Sequence, residues 1–287
     1  MSKISSMDRQ QQDEVISYFE KRSSYWKEVY KENSLPAEIY RQRQAAALAW
    51  IDELGLAPDS RVLEIGCGAG FLSVALAKEG MHVYATDAAE AMVELARQHV
   101  QEAGVAELVT VDAADVYDLD FADGSFDLVI ALGVIPWLAQ PELAIREMAR
   151  VTQAEGYILL TADNKMRIDN LLDPVLNPVI VPIRKWIGAR LRQAGLLRQP
   201  PEALETEATY YTVRFIDHTL ASAQLQKLKG ITLGFGPFTF FRRRVFSDSR
   251  GIGLHQRLQN LANRNIPFFR STGTHYLVLA EKPASHD

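Results

Sequence analysis

The chain has 287 residues, 47% hydrophobic and 23% charged, a formal net charge of −5 and one cysteine, Cys67. This composition excludes a disordered chain, and a lone cysteine excludes an internal disulfide framework and fits a reducing compartment. The first residues, through Val15, lack the apolar core of a signal peptide, and no apolar run reaches the roughly 18 residues that span a bilayer, so a soluble cytoplasmic protein is expected.

The charge is uneven. Residues 1–163 carry 13 Lys and Arg against 27 Asp and Glu, whereas residues 164–270 carry 17 against 7. An acidic body joined to a basic segment suggests two tasks, with the basic part facing an anionic substrate or surface.

In chain order, residues 11–32 are predicted as a helix with an aromatic side made of Tyr18, Phe19, Tyr25, Trp26 and Tyr30. A second helix is predicted over 38–54, closed by the turn at 57–60. The aromatic stripe fits either packing against the body or a flap over a ligand. From residue 61 short apolar strands alternate with helices. Strands are predicted at 62–65, 82–85, 108–111, 126–132 and 156–161, with helices running to 77 and over 89–103 and 141–151. Such alternation implies right-handed crossovers and a doubly wound parallel sheet of α/β class. The rhythm breaks at 164–208, which contains no clear strand, and resumes with a helix near 213–225 and strands at 230–235 and 276–280.

One segment carries chemistry: Glu64-Ile65-Gly66-Cys67-Gly68-Ala69-Gly70. A strand runs into a glycine turn and then a helix, so the backbone can turn tightly and present free amides to a nucleotide-like ligand. A dinucleotide fingerprint would place its third glycine at position 71, which is Phe71. Asp87, 21 residues beyond Gly66, ends the second strand where an acid can accept from ribose hydroxyls, a feature shared by both ligand classes.

The pattern resembles the class I S-adenosylmethionine-dependent methyltransferases, particularly the small-molecule and quinone-biosynthesis branch. It matches their glycine turn, the acid after strand two (Asp87), a hydrophobe shortly beyond (Met92), and the stretch Ala114-Asp115-Val116-Tyr117-Asp118-Leu119-Asp120-Phe121-Ala122-Asp123-Gly124-Ser125-Phe126-Asp127. That stretch departs from the family pattern at Ala114, Val116 and Asp120. The resemblance implies a Rossmann-like, mostly parallel seven-stranded sheet with N-terminal helices and a helical insertion after strand five. The implied boundaries are a helical lid at 1–57, a cofactor core at 58–163, an insertion over the substrate at 164–208 and completion of the sheet by 209–287. It further implies that Glu64, Gly66 and Gly68 line the methionine moiety, that Asp87 holds the ribose, and that Met92, Asp115 and Val116 hold the adenine. Leu132 would sit near the transferred methyl, and Cys67, Gly70 and Ala88 complete the cofactor set.

Methyl transfer from a sulfonium needs in-line placement, and a general base assists when the acceptor is a hydroxyl. Many relatives carry His or Glu after strand four, where this chain has Pro136 and Trp137, so the catalytic residue stays unassigned. Asp163 and His218 are weak candidates, the first competing with a helix cap and the second with a surface position. Tyr18, Tyr25, Trp137, Asn164 and Tyr211 are candidates to contact the acceptor. The remaining histidines show no metal-ligand spacing, and no metal is expected.

Within the insertion, Ile180, Ile183, Ile187, Leu191 and Ala194 share one helical face, with Arg184, Lys185, Arg190 and Arg192 elsewhere. Such a helix suits the anionic inner face of a membrane, or simply closes the open end of the sheet. A run of Phe235, Phe238, Phe240 and Phe241 leads into Arg242-Arg243-Arg244. The expected activity is O-methylation of a small hydrophobic or lipid-linked acceptor, releasing S-adenosylhomocysteine. The alternatives are a soluble sugar or natural product as acceptor, a non-enzymatic S-adenosylmethionine-binding regulator, and a dinucleotide oxidoreductase. No nucleic-acid partner is expected, because no RNA-binding module is recognisable.

Overall fold

A computed structural model describes residues 5–193 and 208–284. Three helices lead: α1 (Ser6–Lys21), α2 (Ser23–Glu28) and α3 (Leu35–Leu54). The single helix predicted over 11–32 is therefore two, parted where Arg22 leaves the helical region at φ −118°, ψ 16° and its amide closes onto the Phe19 carbonyl. Ser34 caps α3 by accepting from the Ala37 amide, Pro36 pre-sets its first turn, and Gly55, at φ 62°, ends it.

The body follows as β1 (Arg61–Ile65), α4 (Phe71–Lys78), β2 (His82–Asp87), α5 (Glu90–Glu102), β3 (Val109–Ala113), β4 (Phe126–Ala131), α6 (Pro141–Val151) and β5 (Thr152–Asp163). Then come α7 (Ile168–Leu172), α8 (Ile180–Gln193), α9 (Val213–Ser222), β6 (Gln226–Leu233), a two-residue strand pair β7 (Thr239–Phe240) and β8 (Arg243–Arg244), α10 (Asp248–Asn263) and β9 (His275–Glu281). Seven strands form one sheet in the order β3-β2-β1-β4-β5-β9-β6. All neighbours are parallel except β9, which runs antiparallel to both β5 and β6. Two apolar layers cover the faces. One centres on Leu63, Phe126, Ile145 and Leu160, and the other on Val62, Leu128, Leu159 and Trp50. Central strands buried on both sides explain why they read as unbroken apolar runs.

The carboxyl ends of the parallel strands lie on one edge, and because β9 is reversed, its first residue, His275, falls on that edge too, paired with Asp163. Two long excursions leave from there: 164–212 after β5 and 234–274 between β6 and β9. They are pinned to each other by Asn164, whose Nδ2 donates to the carbonyls of Ser271 (3.0 Å) and Gly273 (2.8 Å). A second link is Asp173, fully buried, which accepts from the Thr239 hydroxyl (2.7 Å) and the Arg242 amide (2.8 Å).

Two features depart from the sequence expectation. Helix α10 lies beyond the aromatic and basic run, over residues assigned no element from the sequence; its inner side mixes apolar Leu254, Leu258 and Ala262, packed with Phe235 and Phe238, with hydrogen-bonding residues. His255 accepts from the Phe235 amide and Gln259 from the Gly234 amide, while Gly251 lets Leu35 approach to within 3.0 Å of where its Cβ would lie. Helix α8 forms as the periodicity predicts, yet none of its residues is buried, and Ile183 and Trp186 are 57% and 62% exposed. Its apolar side faces outward rather than closing the sheet. Ala194 and the rest of the insertion to residue 207 lie outside the described residues. Among the described residues, no helix is long and apolar enough to cross a membrane.

Candidate active site

A cavity of about 520 Å³ opens at the carboxyl edge of the sheet, bounded below by strand tips and above by α1 and α3. Its size suits a nucleoside-sized ligand together with part of a second molecule.

The cofactor end begins where β1 stops. Gly66 adopts φ 68°, and a Cβ there would meet Val134 Cγ2 at 2.4 Å, so no other residue passes this turn undisturbed. Gly68, at φ 53°, is different: a Cβ would meet no protein atom within 4 Å, so the space above it is free for a ligand to touch the backbone. The loop is tied to the tip of β2, because Gly68 donates its amide to Asp87 Oδ2 and Ala89 donates to Oδ1, both at 3.0 Å. A carboxylate has about four acceptor sites, which leaves Asp87 capacity for two ribose hydroxyls. Burial pushes Asp87 up, and the backbone donors work against that rise. Met92 and Val116 are buried walls, Asp115 is held by the Tyr117 amide (2.9 Å), and Ala88 and Leu132 complete the lining.

Glu64 ends the strand side of the site. It is buried, accepts from the Ser73 hydroxyl, and is pushed up to about 7 by burial and by the nearby negative charge of Asp87. A buried acid beside a half-buried one forms a site suited to a cation, and S-adenosylmethionine brings both an ammonium and a sulfonium. Opposite them, Arg43 of α3 reaches over Gly133, where an added Cβ would lie 2.7 Å from its Nη1, and its buried Nε has no partner among the described residues. A guanidinium unpaired in a cavity calls for an anion, and the methionine carboxylate supplies one. The residues present therefore fit S-adenosylmethionine.

Some expected contacts fall elsewhere. Gly70 does not line the cavity; at φ 72° it starts α4 close against Ala96, where a Cβ would come within 3.2 Å. The Cys67 side chain lines the turn, and burial holds its thiol well above the usual range, which suits a packed residue and not a nucleophile. Trp137 lines the cavity, whereas Tyr18 stacks behind it at 5.4 Å and Tyr25 is 41% exposed on the outer side. Asn164 is spent on the backbone of the second excursion, and Tyr211 stacks on Phe215 at 5.0 Å while its amide donates to the Asp163 carbonyl. His218 sits on the exposed face of α9, away from the cavity.

Asp163 does line the cavity, and it faces a residue with no motif to mark it: His275, whose Nδ1 lies 2.9 Å from Asp163 Oδ1. Tyr40 lies over the imidazole at 6.2 Å, and Arg43 over Tyr40 at 5.1 Å. Burial would raise Asp163, but the bond and charge of His275, with Arg167 and Arg43, outweigh it and hold the carboxyl below its ordinary value. Burial lowers His275 despite its bond to Asp163. The pair is thus a carboxylate beside a neutral imidazole. No spacing in the sequence marks the pair, because it forms only where β9 runs antiparallel to β5. Nor does any mark Arg43; its neighbour Arg41 turns away to the carbonyls of Tyr30 and Glu32. Among the described residues no cluster of His, Cys, Asp or Glu could hold a metal ion.

The fold is that of the class I methyltransferases, and the cofactor end of the site suits S-adenosylmethionine. Comparison with known proteins agrees. Residues 63–160 match the family model described as a methyltransferase domain. The chain is 35% identical over 119 residues to a ubiquinone biosynthesis O-methyltransferase of Pseudomonas aeruginosa (strain UCBPP-PA14), a match covering 40% of this chain and 50% of that protein. It is also 35% identical over 100 residues to a phosphatidylethanolamine N-methyltransferase of Cereibacter sphaeroides, covering 35% of this chain and 49% of that one. The chain thus matches about half the length of these curated relatives. Among solved structures, it resembles in fold the magnesium protoporphyrin IX methyltransferase of Synechocystis PCC 6803 with bound SAH, at TM-score 0.63 and 18% identity, over 95% of this chain and 99% of that one.

Proposed function

We propose that the protein transfers a methyl group to a hydroxyl of a small hydrophobic or lipid-linked acceptor, which it meets at an anionic membrane surface. S-adenosylmethionine supplies the methyl as an electrophilic carbon and leaves as S-adenosylhomocysteine. Glu64, Arg43 and the Gly66–Gly68 backbone would hold its methionine part, Asp87 its ribose, and Met92, Asp115 and Val116 its adenine.

The observation that carries this reading is the far wall of the cavity. Phe19, Trp26, Tyr30, Phe71 and Trp137 make an aromatic enclosure that continues from the cofactor turn to Asp163 and His275. Aromatic walls favour a flat or apolar acceptor and exclude the water that would compete for space around the reacting atoms. Two of the relatives above act, by name, in quinone biosynthesis and on a phospholipid headgroup, which supports an acceptor with a lipid part.

Membrane contact is supported by the surface beside the site. Phe240 and Phe241 are 53% and 60% exposed at the turn between β7 and β8, followed directly by Arg242, Arg243 and Arg244. Phe241 and Arg242 hold φ of 50° and 61°, a conformation that costs bulky residues about 1–2 kcal/mol each. Asp173 fixes that turn, so Phe241, edge-on to its likewise exposed neighbour Phe240 at 4.8 Å, is kept in place at a conformational cost. On the same edge of the sheet, α8 exposes Ile183, Trp186 and Ile187 among Arg184, Lys185 and Arg190. Apolar tips among cations match an anionic phospholipid surface.

The test is methyl-labelled S-adenosylmethionine incubated with the protein and a total cell extract, followed by organic–aqueous partition. Protein-dependent label in the organic phase is the expected result. Label confined to small aqueous species would replace this acceptor with a soluble sugar or natural product, a reading favoured by the polar Gln12 and Asp13 on the α1 side of the cavity. Binding of S-adenosylmethionine without acceptor-dependent release of S-adenosylhomocysteine would make the protein a regulator.

A further inference from the structure

We infer that Asp163 and His275 form a general-base pair for the acceptor hydroxyl, with His275 as the catalytic residue and Asp163 as its positioning residue. The inference rests on the methyl-transfer reading above and gives it the base that the segment after β4 lacks, where Pro136 and Trp137 offer no titratable group.

The geometry comes from the sheet. Asp163 is the last residue of β5 and His275 the first of β9, and they are directly paired in register at the carboxyl edge, where the cavity opens. Both side chains line that cavity, and both are largely shielded from solvent, His275 being 6% exposed. The single hydrogen bond of the pair joins Nδ1 to Asp163 Oδ1 at 2.9 Å. A carboxylate only accepts, so Nδ1 is the protonated nitrogen, and Nε2 keeps its lone pair. The bond to Asp163 uses Nδ1 alone, and His275 lines the cavity, so Nε2 is the nitrogen left for a ligand.

The charged and titratable groups around the ring fix its state. From α3 come Tyr40, which lies over the ring, and Arg43; from the first excursion comes Arg167, which is in ion contact with Asp169 and beyond Asp163. Burial, helped by the two guanidinium groups, disfavours an imidazolium against the pull of Asp163, which also restrains the tautomer, so the resting ring is neutral in the cavity wall. In the transfer step the acceptor O–H proton passes to Nε2 and the oxygen electron pair forms the bond to the methyl carbon. The carbon–sulfur pair stays on sulfur as a neutral thioether. The proton then leaves the imidazolium to water on product release.

The first arm of the test reads the imidazole without turnover. The ¹⁵N spectrum of histidine-labelled wild-type protein, with His275 assigned by its loss in His275→Gln, is expected to show a neutral ring protonated on Nδ1 at pH 7. It should titrate below the ordinary 6.5, with the tautomer preference lost in Asp163→Asn. A ring protonated on Nε2, or an imidazolium at pH 7, overturns the inference. The second arm uses the labelled extract at saturating S-adenosylmethionine. Loss of a well-placed general base costs about 10²–10⁴-fold in rate, so His275→Gln should fall by that factor with S-adenosylmethionine affinity within threefold of wild type. Its rate should also lose the acid limb of the pH profile. A His275→Gln rate within threefold of wild type overturns the inference and leaves methyl transfer intact. If the wild-type protein labels nothing, methyl transfer fails, and the spectrum alone decides the pair.

Discussion

The two ends of the cavity are built by opposite means. At the cofactor end the working groups are backbone amides and strand-tip acids held by a turn that only glycine can make, between neighbours in a continuous parallel sheet. At the acceptor end they are side chains brought together by a reversed strand, a helix from the N-terminus and two excursions. The contrast is also electrostatic. Glu64 is buried beside another acid and burial above all pushes it up, whereas Asp163, partly shielded, faces His275 and two arginines and is held down. One end awaits a cation, the other holds its acid against a histidine and arginines, and Arg43 between them keeps an unpaired Nε. A rigid end for an invariant ligand and an assembled end for a particular one is the division expected of a common fold serving many acceptors.

The largest expected effect that tests this division is at the cofactor end. Asp87→Ala removes the acceptor for the ribose and releases the Gly68 and Ala89 amides. Hydrogen bonds to a charged group contribute about 1.5–3 kcal/mol, so calorimetric titration should show S-adenosylmethionine binding weakened roughly ten- to hundred-fold. The ¹⁵N signature of His275 should stay unchanged. If affinity holds in a folded Asp87→Ala protein, the ribose lies elsewhere; if the His275 signature moves, the two ends are not independent.

A smaller effect comes from Glu64. Its carboxyl, at about 7 in the free protein, is half protonated near neutrality. A bound ammonium favours the carboxylate and lowers that value, so binding releases a proton at any pH below 7. Affinity therefore falls as pH falls, by about five- to sixfold between pH 7 and 6 and approaching tenfold, or about 1.4 kcal/mol, per unit further down. Titrations at pH 7 and 6 should show this slope for wild type and lose it in Glu64→Gln. A flat wild-type profile would mean that no cation meets Glu64.

The unequal construction also explains what could be read in advance. Strands β1 to β5 were legible because each is a short apolar run bounded by turn residues, and the glycine turn because its spacing is itself the structure. Asp87, Met92 and Asp115 follow from their distance along that pattern, and the cavity gathers all three. His275 was illegible because its place depends on β9 running backwards, a fact of pairing and not of composition. Arg43 was illegible because the angle of α3 decides which of two nearby arginines turns inward. Tyr18 and Phe19 are adjacent, yet only Phe19 reaches the cavity, since the rotation of α1 turns Tyr18 onto the back of Trp137. In α10 the inward His255 and Gln259 interrupt the apolar side made by Leu254, Leu258 and Ala262, which blurs the periodicity by which a helix is recognised.

The smallest effects lie at the rim, where the turn between β7 and β8 separates stability from function. Phe241 holds φ 50° and is 60% exposed, with its ring edge-on to Phe240, so its conformation costs stability and that contact returns part of it. Phe241→Gly removes that cost and is expected to stabilise the fold by up to about 1 kcal/mol, visible as a higher melting temperature. On vesicles containing phosphatidylglycerol at low salt, the same variant should bind less well, since the aromatic tip is gone. Arg243→Gln should leave the melting temperature unchanged. It should weaken vesicle binding by about 1 kcal/mol, roughly fivefold, because each exposed cation near an anionic surface contributes about that much. The two substitutions therefore act in the same direction on vesicles and differ in stability. That pattern is expected of a surface kept for contact, whereas a turn that merely closes the fold would gain stability in Phe241→Gly and show no vesicle binding to lose.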